Sequence, residues 1–386
     1  MYHIHCLNTI PPKGTRLFSE NYTFTDRIME ANAVLVRSAN MHTVSFPDSL
    51  LAVSRAGAGV NNIPIPLCTE SGIVVFNTPG ANANAVMELA ICGLLLGSRD
   101  ILGGVEWVKK LTHSSSIANE VEKEKGRFAG QEIAGRSLGV IGLGAIGGSL
   151  ANHAIRLGMD VYGYDPYLSV EGAWHLDSQI THMKELKELY ERCDYISLHT
   201  PLVESTKGML GMEAFSQMKN GAVLLNFARD ALVDDSALTA ALQCGKLKCY
   251  ITDFPNDITA KLPGVIAIPH LGASTQESED NCARMAVHQV MDYLENGNIV
   301  NSVNFPNCSM GKCTKAARIL ILHRNIPNSL GSFTSAVASE GINISDLLNR
   351  SKDEYACTML DLDSRVSERV LTNIRSVDGV LRVRLL

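Results

Sequence analysis

The chain has 386 residues, with 34 basic and 40 acidic side chains and a formal charge of −6. With 46% apolar and 19% charged residues, it has the composition of a folded globular protein, which excludes a disordered chain or a fibre. A mildly acidic balance argues against nucleic acid or an anionic membrane as the main partner, and no apolar run reaches the roughly 20 residues of a membrane span. The length suits two or three domains. The ten cysteines stand singly, with no CxxC, which points to reduced thiols, a cytoplasmic setting and no metal site. The start, MYHIHCLNTI, has no basic segment leading into an apolar run, so no signal peptide is expected.

Ile4–Leu7, Ala33–Val36, Leu51–Ser54 and Val74–Asn77 are short apolar runs between polar or helical stretches. Their length and flanking turn residues predict strands, and their alternation with helices predicts βαβ units. A long apolar helix is expected from Asn84 to Leu102. A second alternating series follows, with strands at Leu138–Ile141, Asp160–Tyr164, Asp194–Leu198, Ala222–Asn226, Lys248–Thr252 and Val265–Ile268. Six parallel strands joined by helices make a doubly wound nucleotide-binding domain. Ser274–Glu277 has the form of a capping box and opens a long helix that stops near Gly297. The stretch Asn301–Thr314 shows little periodicity and is expected to be a linker. Beyond it, Ala317–His323, Ser329–Glu340, Ile342–Leu348, Tyr355–Leu362, Ser367–Arg375 and Val380–Leu386 read as β-α-β-β-α-β, a ferredoxin-like α+β unit.

Gly142-Leu143-Gly144-Ala145-Ile146-Gly147 matches G-x-G-x-x-G, a weak signal alone. Here it follows a predicted strand and opens a predicted helix, the context that cradles a pyrophosphate on backbone N–H groups at a helix N-terminus. Asp165 ends the next strand, where a carboxylate binds the ribose hydroxyls of NAD and repels the 2′-phosphate of NADP. Three polar groups follow at the ends of later strands: Arg229 after Ala222–Asn226, the acids Asp253 and Asp257, and His270 after Val265–Ile268. An isolated Arg is usually a surface charge, and an isolated His is usually packed or solvated. On successive strand ends of one nucleotide domain they suit a dehydrogenase of hydroxy acids: a fork for a carboxylate, an acid–base group, and a carboxylate to poise it.

These residues resemble the D-isomer-specific 2-hydroxyacid dehydrogenases. The match covers RAGAGVNNI (Arg55–Ile63), NTPGANANAVMELA (Asn77–Ala90), the glycine loop, HTPL (His199–Leu202), NFARD (Asn226–Asp230) and PHLGAST (Pro269–Thr275). The resemblance implies an α/β protein of two Rossmann-like or flavodoxin-like parallel-sheet domains. The substrate-binding domain would take 1–98 and 285–305, and the NAD-binding domain 99–284. It implies His270 as the acid–base, Arg229 on the substrate carboxylate, and hydride transfer between substrate C2 and the nicotinamide. Thr78, Ala145, Ile146, His199, Thr200, Pro201, Phe227, Ala228, Asp253, Gly272 and Ala273 would complete the NAD site. Ala58 and Gly59 would meet the carboxylate through their N–H groups, and the first domain would close over the second by a hinge.

Arg37 and Arg55 match positions that face a phosphate in family members acting on phosphorylated three-carbon acids. The family's catalytic acid is usually Glu in a DVFxxEP-like segment. Here the run is TDFPND, one residue shorter, so Asp257 falls nearest that Glu and Asp253 nearest an Asp that contacts the nicotinamide amide. Either could partner His270. Asp230 also replaces a common Gly after the catalytic Arg. The C-terminal part, 315–386, resembles the ACT regulatory domain, through LILHRNIPNSLG (Leu320–Gly331) and EGINIS (Glu340–Ser345). That implies a homodimer or homotetramer, and L-serine as an effector near His323, Asn325 and Asn343, with Asn328 where a Gly is usual. Other members reduce hydroxypyruvate or 2-oxoglutarate. A non-catalytic NAD(H) sensor would need neither Arg229 nor His270.

Overall fold

Five short strands near the N-terminus pair into one parallel sheet: β1 (Tyr2–Cys6), β2 (Tyr22–Phe24), β3 (Ala33–Val36), β4 (Ala52–Arg55) and β5 (Val74–Phe76), in the order β2-β1-β3-β4-β5. The structure is a computed structural model and describes residues 1–386. Every residue of β3 is buried, the pattern of a strand covered on both faces. β2 is an addition to the expected strands.

The chain divides into two compact units, residues 1–81 with 279–386, and residues 82–278. The second unit holds seven parallel strands: β6 (Ser137–Ile141), β7 (Asp160–Tyr164), β8 (Thr181–His182), β9 (Tyr195–Leu198), β10 (Ala222–Asn226), β11 (Leu247–Thr252) and β12 (Val265–Ala267). Their order is β12-β11-β10-β9-β6-β7-β8. Six were expected, and the two-residue β8 is the seventh. The order reverses at β6, where a doubly wound sheet opens a crevice at its carboxyl edge. The apolar helix expected as one piece from Asn84 to Leu102 is two. Ala83–Ser98 ends as Arg99 turns extended, and Ile101–Lys110 restarts with the Asp100 carboxylate accepting from the Gly103 N–H at 2.9 Å. The first packs its glycines on the sheet: a Cβ on Gly93 would come within 2.8 Å of Leu225.

In the first unit, β13 (Ala317–Arg324), β14 (Ile344–Lys352), β15 (Tyr355–Leu362) and β16 (Val380–Leu385) form an antiparallel sheet in the order β14-β15-β13-β16. With helices Ser329–Ala338 and Glu368–Arg375 this is the expected ferredoxin-like, ACT-like arrangement. Alternation along β13 builds two faces. Ile319 and Ile321 pack with Phe333 and Val370 under the helices. Leu320 and Leu322 join a second core containing Tyr293, Ile299, Phe305 and Cys308.

The segment expected as a linker is therefore packed structure. Phe305 is fully buried. Asn304 accepts from the Val75 N–H at 2.9 Å and donates to the Ile73 carbonyl at 2.9 Å, and Ile299 bridges to Cys308. The long helix Gln276–Asn296 ends against the antiparallel sheet. Arg384 donates to the carbonyls of Tyr293 and Leu294, both at 2.8 Å, and Arg318 donates to that of Asn296 at 2.9 Å. Cations thus occupy the negative end of the helix dipole. At its start the cap lies one residue later than expected: Thr275 Oγ1, not Ser274, accepts from the Ser278 N–H at 3.1 Å. No helix is long and apolar enough to cross a membrane.

Candidate functional site

The glycine loop lies between β6 and the helix Ala145–Arg156. Gly142 has φ 91°, and a Cβ there would come within 2.6 Å of the His199 carbonyl oxygen. A Cβ on Gly147 would lie 1.9 Å from the Gly142 carbonyl oxygen, so only glycine lets the helix approach so closely. Gly144, at the helix N-cap, faces open space, which leaves room for a phosphate. Ala145 and Ile146 begin the helix. Asp165 is fixed beside this loop: one carboxylate oxygen accepts from the Leu143 N–H at 2.9 Å and the other from the Tyr167 N–H at 2.9 Å. Each oxygen keeps a lone pair for a ribose hydroxyl. Asp165→Ala is expected to lose about 1.5–3 kcal/mol of NAD affinity, roughly tenfold to a hundredfold, and to narrow the preference over NADP. Titration of cofactor fluorescence measures both.

Arg229 and His270 meet at one aromatic ring. The Phe254 and His270 ring centroids are 4.4 Å apart, and the Arg229 guanidinium carbon lies 5.5 Å from the Phe254 centroid. Phe254 escapes a sequence reading, since an aromatic in TDFPND has nothing to mark its role. Asn226 escapes it too, although a polar residue ending a buried strand is a turn signal. Its side chain accepts from the N–H groups of Ala228 (3.1 Å) and Arg229 (3.3 Å) and donates to the Arg229 carbonyl (2.8 Å), which sets the turn that presents Arg229. Asp230 does not have positive φ, so replacing the usual Gly costs no strain there.

Of the two candidate acids, Asp253 is buried. One of its oxygens accepts from the Gly272 N–H at 2.9 Å, and the other is buried without a partner. Burial holds its carboxyl above the usual range, opposed by the Gly272 N–H and by the positive charges of His270 and Arg229. An orphaned acceptor of this kind suits a carboxamide donor. Asp257 is exposed. Thr200, Pro201, Phe227, Ala228, Gly272 and Ala273 follow β9, β10 and β12, along the carboxyl edge of the same sheet.

In the first unit, β3 and β4 end next to each other, with Val36 opposite Arg55. The Arg55 Nε donates to the Arg37 carbonyl at 2.8 Å, and its Nη1 to the Gly59 carbonyl. Arg37 forms an ion pair with Glu279 at 2.7 Å. Asn77 donates to the Ala58 carbonyl at 2.6 Å, and Thr78 Oγ1 accepts from the Gly57 N–H at 2.8 Å. Arg37, Arg55, Ala58, Gly59 and Thr78 are thus gathered on one edge. The three proposed effector residues do not meet within one chain. His323 is buried, with its ring nitrogens at 2.8 Å from the Arg324 carbonyl and 2.9 Å from Thr358 Oγ1. Asn325 follows β13 at the end paired with Tyr355, whereas Asn343 precedes β14 at the opposite end, bonded to Asp363 at 2.6 Å. Asn328 has φ 68°, so this position does need the left-handed conformation, and Asn supplies it.

His199 stands behind the glycine loop, its Nε2 2.8 Å from Ser197 Oγ. Burial pushes its imidazole from 6.5 down to about 4. The unfolded chain therefore binds this proton at a higher pH than the folded one. The neutral ring favours the fold above pH 6.5, and that contribution fades as pH falls toward 4. Over that window His199 is expected to cost about 2–3 kcal/mol of stability, and His199→Gln is expected to flatten the profile. Unfolding midpoints between these limits check it.

A family model described as "D-isomer specific 2-hydroxyacid dehydrogenase, NAD binding domain" matches residues 99–272. A D-3-phosphoglycerate dehydrogenase of Escherichia coli K12 is 31% identical over 377 residues, 94% of this chain and 88% of that protein. The chain belongs to the D-isomer-specific 2-hydroxyacid dehydrogenases. It is an NAD-binding enzyme of that family. The Haemophilus influenzae D-3-phosphoglycerate dehydrogenase is 30% identical over 348 residues, 87% of this chain and 81% of that one. The Methanocaldococcus jannaschii protein of the same name is 32% identical over 332 residues, 84% of this chain, but the match spans only 60% of that longer relative. Among solved structures, NAD+-bound 3-phosphoglycerate dehydrogenase of Entamoeba histolytica matches with a TM-score of 0.59 at 28% identity, covering 78% of this chain and 98% of that one.

Proposed function

We propose that this 2-hydroxyacid dehydrogenase oxidises 3-phospho-D-glycerate to 3-phosphooxypyruvate, the first step of L-serine synthesis. The observation that carries the reading is the pairing of Arg229 and His270 on Phe254, in a chain where Arg37 follows β3 and Arg55 ends β4. The similarity to three D-3-phosphoglycerate dehydrogenases supports it. Bound NAD supplies the hydride acceptor. Arg229 holds the substrate carboxylate in its fork, and the His270 imidazole takes the hydroxyl proton as the C2–H bond is lost. Arg37 and Arg55 take the phosphate, which a plain hydroxy acid lacks.

Kinetics with 3-phosphoglycerate, glycerate, lactate and 2-hydroxyglutarate test the reading. The phosphorylated acid is expected to win in kcat/KM. Arg37→Gln is expected to cut its lead over glycerate by roughly tenfold, one charge-assisted contact. Equal rates on glycerate and 3-phosphoglycerate would remove the phosphate role.

The ten free cysteines fit a cytoplasmic enzyme. A homodimer or homotetramer is supported by the helix Ile101–Lys110, which has no buried residue and exposes Ile101, Leu102, Val105 and Val108. L-serine binding would need residues from two ACT-like units, because His323 and Asn343 stand at opposite ends of one.

A further inference from the structure

A cavity of about 450 Å³ opens within the first unit. One wall is formed by 46–48 and by 70, 71 and 73, the other by Arg375 and the start of β16. Arg382 lies in that second wall and is held open like a hand. One Nη donates to the Asp48 carbonyl at 3.0 Å and the other to the Ser71 carbonyl at 2.8 Å. Its Nε–H is buried and has no partner. Gly72 lies directly beneath: a Cβ there would come within 2.7 Å of the Arg382 Cβ.

No acid around the cavity forms an ion pair with this guanidinium. Glu70 is taken by Arg324 at 2.7 Å and by the Tyr355 hydroxyl at 2.6 Å. Asp48 meets Arg382 through its carbonyl, and its residue is exposed. The neighbouring Arg384 is better placed, since it sits on helix C-terminal carbonyls. Burial is the main influence disfavouring the protonated Arg382; the charge of Arg384 adds to it, while Tyr293 and Asp48 oppose it. A half-buried cation with only carbonyl partners carries an unmet desolvation cost, which an anion beside it would offset. Two of its Nη hydrogens remain for such an anion, since each Nη uses one of two on a carbonyl.

We propose that this cavity binds a small oxyanion, a carboxylate or a phosphate, with Arg382 as its main contact. The site is separate from Arg37, Arg55 and Arg229, and it stands whether or not the substrate reading does.

The test is calorimetric titration of the full chain with inorganic phosphate and, separately, with malonate. Arg37→Gln/Arg55→Gln/Arg229→Gln serves as the starting protein, so that the candidate substrate contacts are silent. Saturable binding of at least one probe is expected there, weakened about tenfold or more when Arg382→Gln is added. A phosphate-only response marks a phosphate site, and a malonate-only response a carboxylate site. Wild-type crystals soaked in selenate or bromomalonate give a readout that needs no variant, with anomalous density expected beside the Arg382 guanidinium. Binding unchanged by Arg382→Gln, no saturable binding of either probe, or density only at other arginines would overturn the proposal.

Discussion

His270→Ala is expected to lower kcat by about 10²–10⁴-fold while leaving NADH affinity within a factor of about three. The ring lies against Phe254, and its loss removes the only imidazole at the carboxyl edge of β12 without disturbing the glycine loop or Asp165. Steady-state kinetics and cofactor titration on the same preparations separate chemistry from binding. An unchanged rate would take His270 out of the reaction and leave Arg229 without a proton acceptor beside it.

The largest stability loss is expected from Asp361→Asn, about 3–5 kcal/mol. Arg318 is fully buried and stands directly opposite Asp361 across β13 and β15. Its Nε and Nη2 meet the two carboxylate oxygens at 2.6 and 2.8 Å, and its Nη1 reaches the carbonyls of Asn296 and Gly311. The amide keeps the shape but removes the one carboxylate in contact with Arg318. Hydrogen exchange along β13 and β15 should therefore accelerate by roughly 10²–10⁴-fold if these strands open with the unit. Replacing both partners, as Arg318→Met with Asp361→Leu, is expected to recover part of the loss. Recovery stays partial because the Asn296 carbonyl would then lack its side-chain donor, and that of Gly311 would keep only the Asn298 amide at 3.1 Å.

What the sequence made legible was local or strictly periodic. Gly142, Gly144, Gly147 and Asp165 are set by short covalent spacing, and the structure places them on one strand–helix–strand unit. Arg229 and His270 are legible because both follow apolar strands. Phe254, which joins them, is not, because its role depends on where two other strands end. β2 and β8 have three and two residues, too short to show a period. The break at Arg99 has no Pro, and its nearest Gly, Gly97, lies inside the helix, although Asp100 before an apolar run is a cap signal. The segment 301–314 looked loose because its order comes from distant partners: Asn304 reaches back to Val75 and Ile73.

The arginine-capped end of the helix Gln276–Asn296 bears on how such an enzyme could gain or lose its last 70-odd residues in evolution. Excising them would strip donors from the terminal peptide groups and bare Tyr293 and Phe305 to water. A lineage shedding this module would have to resurface that patch and recap the helix in the same stroke.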